Sequence, residues 1–160
     1  DTPNLIWQLL TKRPQNIEKM TWPKWDTGWP SNIWIGTTVE SQDEAHKRLP
    51  HLVRVPAHVR FISYEPALSG VNFTPWLADI HWIIAGGESG PGARHFDAEW
   101  ARSVRDQCAR AGTAFFMKQM GGVRKPFAPT PDDLMIRQFP HEGGNLQNID
   151  AITQKDKPNE

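Results

Sequence analysis

Ile80-His81-Trp82-Ile83-Ile84-Ala85 is an apolar run of strand length, and it opens the stretch of sequence that decides the fold. After it, Asp97 is a good helix N-cap, residues 98–111 have the composition of a helix, and Gly112 follows where a helix C-terminus is expected. A second apolar run, residues 114–117, comes next. Strand, helix and strand in this order predict a βαβ unit with parallel strands.

The same alternation extends towards the start of the chain. Strands are predicted at residues 5–10, 33–39 and 59–64, and helices begin at Pro14 and after Ser41. Five strands are too few to close the usual eight-stranded parallel barrel. We therefore predict an α/β fold, a partial (βα) barrel of about five parallel strands with flanking helices, TIM-barrel-like, although a doubly wound sheet would satisfy the same pattern.

This unit is predicted to occupy residues 1–122, and residues 123–160 to form an irregular C-terminal extension and tail. The chain starts at Asp1 without an initiator Met or a leader, which indicates either a trimmed terminus or missing upstream elements of the same fold. A partial barrel leaves strand edges unpaired. We expect the 5–10 edge to be covered by the C-terminal segment, by a second copy or by a missing N-terminal segment.

Composition excludes several classes of protein. The 160 residues carry 18 Lys+Arg and 18 Asp+Glu, so the net charge is +0 and no basic footprint for duplex DNA is present. No apolar run approaches the roughly 20 residues of a membrane helix. Cys108 is the only cysteine, so neither an internal disulfide nor a cysteine-only metal site can form within this chain. We expect a cytoplasmic location, no membrane partner and no metal ligand set.

Polar residues follow every predicted strand. Ligands of parallel α/β folds bind at the carboxyl ends of the strands, so these residues are the candidate site. Catalytic candidates are Glu65, Glu88 and Lys118; binding candidates are Lys12, Arg13, Thr37, Thr38, Glu40, Ser63, Tyr64, Gly86, Gly87, Ser89 and Gln119.

These residue types suit acid–base chemistry. Crowded carboxylates raise one another's pKa and provide a general acid near neutral pH, and a desolvated lysine among them can act as a base. Gly86-Gly87 would let a ligand approach the backbone, with the following N–H groups holding an anion. The alternative is that each strand-end glutamate caps a helix or forms a structural ion pair.

The tryptophans divide into two groups. Trp7, Trp34 and Trp82 fall within predicted strands and are expected in the core. A loop contains the other group, Trp22, Trp25 and Trp29, which either pack or stack on bases or sugars.

Five strand-end motifs, taken together in this order, carry a family resemblance. They are residues 8–14 (QLLTKRP), 34–40 (WIGTTVE), 61–66 (FISYEP), 86–90 (GGESG) and 116–119 (FMKQ). The set resembles a phage-associated protein family that looks like a divergent branch of the radical SAM enzymes. The resemblance implies that this chain is the C-terminal part of such a barrel, of unassigned reaction. It also implies that five residues face the substrate or S-adenosylmethionine at the rim, which is the carboxyl end of the sheet: Lys12, Glu40, Glu65, Glu88 and Lys118.

The resemblance places cofactors outside this chain. A cysteine triad of the CxxxCxxC kind, which would bind a [4Fe–4S] cluster, belongs to an upstream segment of the full-length members. S-adenosylmethionine and the cluster are therefore expected only for a full-length form, with none in this chain. Gly86-Gly87-Glu88 looks like the amine-binding Gly-Gly-Glu motif of radical SAM enzymes.

Three functional hypotheses remain open from the sequence. The first is the substrate-binding part of a radical-SAM-like enzyme, inactive alone, acting on a small-molecule or nucleotide-like substrate. The second is a small hydrolase, glycosidase-like, using Glu65 and Glu88 as a carboxylate pair. The third is a non-catalytic module that binds nucleic acid through the loop tryptophans, or binds another protein.

Overall fold

A computed structural model describes residues 4–21, 25 and 28–140, together with the backbone of 147–148. Its centre is a sheet of five parallel strands, β1 (Trp7–Thr11), β2 (Ile33–Thr38), β3 (Val59–Tyr64), β4 (Trp82–Gly86) and β5 (Ala114–Gln119). The helices are α1 (Ile17–Thr21), α2 (Gln42–Leu52) and α3 (Ala98–Ala111), with short 3-10 helices at Pro14–Asn16, Thr74–Asp79 and Asp132–Leu134. Two further short strands, β6 (Gln138–Phe139) and β7 (Gln147–Asn148), pair antiparallel.

The strands lie in the sheet in the same order as in the chain. Right-handed crossovers that always step in one direction place all the helices on one face of the sheet. A doubly wound sheet instead reverses its direction at one point and carries helices on both faces. The observed order is that of an arc of a (βα) barrel, and the predicted α/β class with five parallel strands and flanking helices is confirmed.

The helix-covered face of the sheet contains the larger core. Leu49 and Leu52 of α2 and Val104 of α3 are fully buried in it against strand residues such as Ile62 and Ile83. The helix termini follow the predicted signals: the Asp97 side chain accepts a hydrogen bond from the Glu99 N–H at 2.9 Å, and Gly112 has φ 72°. Helix α2 extends further than its sequence indicates, because it continues through Pro50 to the buried Leu52.

The opposite face of the sheet carries an aromatic cluster. Trp34, Phe61 and Trp82 are buried there, and Phe139 lies 4.9 Å from Trp82 between ring centroids. Gly36 makes room for this cluster, since a Cβ at that position would come within 2.5 Å of the Phe61 ring. Core positions for Trp34 and Trp82 are thereby confirmed.

The segment after β5 covers one edge of the sheet. Met117 donates its backbone N–H to Ile136 at 2.8 Å, and Phe116 forms an antiparallel bridge with Arg137. Asp133 anchors the same segment to α3 through Arg102 and Arg105. Part of the predicted irregular extension, residues 132–139, is therefore ordered structure on the β5 edge.

Strand β1 forms the other edge of the sheet and pairs only with β2 among the described residues. Its apolar side chains are exposed on both faces, with Leu10 at 52% and Leu9 at 39%. The described part of the C-terminal segment lies on β5 and not on β1. Trp7 is 47% exposed, so its predicted core position is wrong, because the edge strand has too few neighbours to bury it.

Candidate functional site at the carboxyl end of the sheet

The face opposite the helices delivers polar residues to the carboxyl end of the sheet. Thr38 and Ser63 are paired in register on β2 and β3, and the alternation of side chains places them on the face of Trp34 and Phe61. Glu40 and Glu65 follow them by two residues each in the chain. Four predicted residues therefore lie at the carboxyl ends of β2 and β3, with Thr38 and Ser63 buried and the two glutamates half-buried.

Glu40 is the centre of the first charged group. It accepts from Lys12 on one oxygen and from Arg48 Nη1, at 2.7 Å, on the other. Arg48 Nη1 also donates to the Thr38 carbonyl oxygen at 2.7 Å, and its other nitrogen pairs with Glu44. The side chains of Glu40 and Arg48 are 12% and 15% exposed, whereas Lys12 is 60% exposed. Arg48 is therefore the covered partner of Glu40, and Lys12 is the partner exposed to solvent and accessible to a ligand.

Glu65 is the centre of the second charged group. Lys118 Nζ donates to Glu65 Oε2 at 3.0 Å, and Gln119 Nε2 lies 3.5 Å from Oε1. The β4–β5 register pairs Ala85 with Met117 but Gly86 with Gln119, so Lys118 is the extra residue of a β-bulge. Such bulges re-aim side chains next to functional sites. The Lys118 side chain is 53% exposed, whereas the Glu65 side chain is 18% exposed.

Glu88 forms the third group with Arg94. The guanidinium donates to both carboxylate oxygens at 2.7 Å, and the Arg94 backbone N–H adds a bond at 3.0 Å. These hydrogen bonds lower the pKa of Glu88 to about 2. The expectation that crowding raises its pKa is therefore wrong for Glu88, which is ionised at neutral pH and unsuited to act as a general acid.

The three groups are neighbours at one end of the sheet, although each carboxylate has its own cation. The charge of Glu40 contributes to raising the pKa of Arg94, which connects the Glu88 pair to the first group. Lys12 likewise helps to lower the pKa of Glu44 on α2. The sequence-based alternative, structural ion pairs, accounts for Glu88, whose partner is bidentate. It also accounts for the contact of Glu40 with Arg48, but Glu40 and Glu65 each have an exposed lysine as a partner as well.

Gly86-Gly87 serves a structural purpose in this rim. A Cβ at Gly87 would come within 2.1 Å of the Met120 carbonyl oxygen, because the chains leaving β4 and β5 run side by side. The Gly87 and Gly90 N–H groups donate to the Gln119 and Gly122 carbonyls, each at 3.0 Å. The expectation that these amides hold an anion is therefore wrong for Gly87 and Gly90.

Thr37 and Tyr64 point to the helix-covered face and leave the candidate site. Both are fully buried; Thr37 donates its hydroxyl to the Thr11 carbonyl at 2.8 Å, and Tyr64 donates to the Ser69 carbonyl. Burial raises the pKa of the Tyr64 phenol. Their assignment as binding residues is wrong, because consecutive strand residues face opposite sides and only Thr38 and Ser63 face the rim.

Arg13 and Ser89 are exposed and belong to the loops at this end. The Arg13 N–H donates to the Thr11 hydroxyl at 3.0 Å, and Ser89 pairs with Gly122 in a parallel bridge. In these contacts Arg13 and Ser89 each contribute backbone groups and not their side chains. Their proposed contacts with a ligand stay predictions.

Two rim cations, Arg48 and Arg94, were not among the sequence candidates. Arg48 lies four residues after Glu44 on one helix face, a spacing that signals an ion pair. Arg94 lies in the loop after Glu88, where no periodicity could have marked it. Only the folded loop brings its guanidinium onto the carboxylate.

The potential metal-ligating side chains are dispersed over the described residues. No cluster of three or more His, Cys, Asp or Glu able to hold a metal ion occurs in the described ranges. Cys108 is buried within α3, and burial raises the pKa of its thiol to about 12. The thiolate is the form that ligates iron, so Cys108 does not fit a cluster ligand.

The fold and rim define an α/β protein with a charged site at the carboxyl end of a parallel sheet. The chain belongs to the family described as protein of unknown function DUF5131, whose model matches residues 1–154. No curated protein and no solved structure matches it. Among the described residues, no helix combines the length and apolar character needed to cross a membrane.

Proposed function

We propose that this chain is the C-terminal, substrate-binding part of a radical-SAM-like barrel enzyme of unassigned reaction. Its substrate is a small molecule or a nucleotide-like compound, and the protein acts in the cytoplasm, in a phage-associated context. The motifs at residues 8–14, 34–40, 61–66, 86–90 and 116–119 support the family resemblance. The sequential parallel sheet with helices on one face supports a place within a barrel.

The observation that carries the proposal is the pair of lysine–glutamate contacts at the carboxyl end of the sheet. Lys12 meets Glu40, and Lys118 meets Glu65, at the strand ends where barrel enzymes bind substrate. In each pair the lysine is more than half exposed and the carboxylate is mostly covered. A ligand with anionic groups can draw the lysines away at little cost, because such exposed pairs are worth about 0–1 kcal/mol.

Glu65 and Lys118 are the candidates for proton transfer in that site. Their 3.0 Å contact is within the range over which a proton moves between an acid and a base. Gln119 and Gly86 surround Glu65, so the carboxylate is held by neighbours while Lys118 stays accessible. We assign proton donation to Lys118 and orientation of Lys118 to Glu65.

The Gly-Gly-Glu resemblance receives less support. An amine that bound Glu88 would have to displace a bidentate arginine, and Arg–carboxylate pairs of this geometry are the strongest of their kind. The same pairing disfavours the glycosidase-like alternative, because Arg94 engages both Glu88 oxygens and holds the carboxylate ionised, which leaves it unsuited to be the general acid and not free to act as the nucleophile. We therefore place substrate binding on the Lys12 and Lys118 side of the rim.

The residues of this chain do not fit the iron–sulfur cluster of the proposed class. A cluster needs several thiolates, and this sequence offers only the buried Cys108. The proposal thus requires that cluster ligands come from residues outside these 160. Within this chain we derive only substrate binding and proton transfer.

The test compares this chain with a longer native form after anaerobic reconstitution with iron and sulfide. The visible absorbance of a stoichiometric cluster is expected for the longer form and not for this chain. A cluster on this chain alone, or none on the longer form, would overturn the proposal. Lys118→Met in the longer form should keep the absorbance and abolish turnover of S-adenosylmethionine coupled to substrate, whereas Lys47→Met, an exposed lysine of α2, should change neither.

A further inference from the structure

A second concave site lies on the helix-covered side of the molecule. It is a cavity of about 470 Å³ between the start of α1, the loop before β2 and the C-terminal end of α2. None of its lining residues belongs to the candidate rim. Its volume falls within the range of small-molecule sites, which is about 300–1,000 Å³.

One wall of the cavity is aromatic and fixed in place. The Trp29 indole N–H donates to the Ile33 carbonyl at 2.8 Å, which anchors the ring to the start of β2. Trp25 packs edge-to-face on it, with centroids 4.6 Å apart and planes at 72°. Both rings line the cavity and are half-buried. A planar ring of a ligand can stack on such a wall with little loss of side-chain freedom.

The charged side chains of the cavity have no side-chain partners among the described residues. Arg54, His51 and Glu18 all line it, and no ion pair or side-chain hydrogen bond joins any of them to another described residue. By contrast, Arg48 and Arg94 are fully engaged at the rim. An arginine guanidinium beside an aromatic wall is the combination that holds a phosphate together with a base.

We propose that this cavity binds a nucleoside phosphate, either free or as the end of a single strand of nucleic acid. The base stacks on Trp25, the exocyclic amino group of the base donates to Glu18, and the phosphate accepts from Arg54, with His51 beside it. The neutral net charge of the whole chain does not oppose this, because one nucleotide needs only a local cation. The site is independent of the rim and of the function proposed for it.

Isothermal titration of the protein with adenosine 5′-monophosphate tests the proposal. Saturable binding is expected, and Arg54→Gln should weaken it by about tenfold or more, the usual effect of losing a charged hydrogen bond. Trp25→Leu should weaken it by a similar factor through lost stacking. Arg110→Gln, an exposed arginine of α3 outside the cavity, changes the charge equally and should leave the affinity within twofold.

Further titrations distinguish a free nucleotide from the end of a nucleic-acid strand. A short oligoadenylate that binds more tightly than the mononucleotide, with the same dependence on Arg54, assigns the site to a strand end; equal affinity assigns it to the free nucleotide. Inorganic phosphate or ribose 5-phosphate binding as tightly as the mononucleotide overturns the proposal, as does equal binding by Arg54→Gln and Arg110→Gln. Absence of saturable binding by both nucleotide probes overturns it too. Lys118→Met tests whether the nucleotide binds at the rim instead: unchanged affinity supports the cavity, and a loss of affinity equal to that of Arg54→Gln overturns the proposal.

Discussion

Glu65 and Lys118 form their 3.0 Å ion pair across an intervening strand. Glu65 follows β3 and Lys118 lies in β5, so the contact passes over the end of β4 at Gly86. A Cβ at Gly86 would come within 3.3 Å of Glu65 Oε1. The glycine and the bulge at Lys118 together let groups from two non-adjacent strands meet.

Double-mutant analysis of Glu65→Gln and Lys118→Met should give a coupling energy of about 0.5–1 kcal/mol, because Lys118 is exposed and the pair is partly screened by solvent. The measurement is the free energy of unfolding from denaturant titration of the two single variants and the double variant. The exposed Lys47–Glu44 pair, also at 3.0 Å, provides a reference. A coupling of zero would contradict a stabilising ion pair between Glu65 and Lys118.

Gly87→Ala should destabilise the fold by about 2–3 kcal/mol, the usual cost of forcing extra volume into a packed site. The added methyl would meet the Met120 carbonyl oxygen at 2.1 Å and Phe96 at 2.9 Å. Gly70→Ala is the matched control, since its Cβ would make an ordinary 3.5 Å contact with Trp100. The measurement is the melting temperature of both variants in thermal unfolding. Similar melting temperatures would contradict the close approach of the segments that leave β4 and β5.

Arg94→Gln should raise the pKa of Glu88 from about 2 towards the ordinary value near 4.3, because the hydrogen bonds that stabilise the carboxylate are lost. The measurement is a pH titration of the side-chain carboxyl carbons by NMR. Arg110→Gln is the control that removes an arginine elsewhere. Glu88 titrating in the ordinary range in the unmodified protein would refute the bidentate pair.

Asp133 should make stability pH-dependent in acid. Hydrogen bonds from Arg102 and Arg105 hold its pKa at about 2, below the unfolded value of about 3.9. Its contribution is therefore fully present above about pH 4 and is lost as the pH falls towards 2. Asp133→Asn should lower stability at neutral pH and flatten this part of the profile.

The control for that experiment is Asp132→Asn, which removes an adjacent exposed carboxylate with no side-chain partner among the described residues. Denaturant unfolding is measured at several values between pH 2 and pH 7. Equal profiles for the two variants would show that the anchor of the C-terminal segment on α3 does not form in solution.

Local sequence signals predicted most of the parallel sheet. The strand at residues 59–64 and the helix at 98–111 were predicted with their observed bounds, because apolar runs, the Asp97 cap and Gly112 are short-range features. Pro50 illustrates the limit. A proline favours a helix end, yet the burial of Leu49 and Leu52 keeps α2 intact, and burial depends on residues distant in sequence.

The candidate site was predicted in part for the same reason. Glu40, Glu65 and Lys118 were predicted because they lie at the ends of predicted strands, and each of them forms an ion pair at the rim. Strand alternation places Tyr64 and Thr37 on the opposite face from Ser63 and Thr38. The sequence shows the alternation, but it does not show which of the two faces is covered by helices. The ion pair between Arg94 and Glu88 depends on the conformation of a loop, which local sequence patterns do not predict. Trp22, one of the three loop tryptophans, lies outside the described residues.

The two borders of the sheet are not equivalent. Past β5, the antiparallel contact of residues 136–137 occupies the outer backbone groups and ends the hydrogen-bond ladder. At the other border, β1 pairs only with β2 among the described residues and exposes Leu9 on one face and Leu10 on the other. The β5 border is therefore occupied by a later part of the same chain, whereas the β1 border presents apolar side chains on both faces of the sheet.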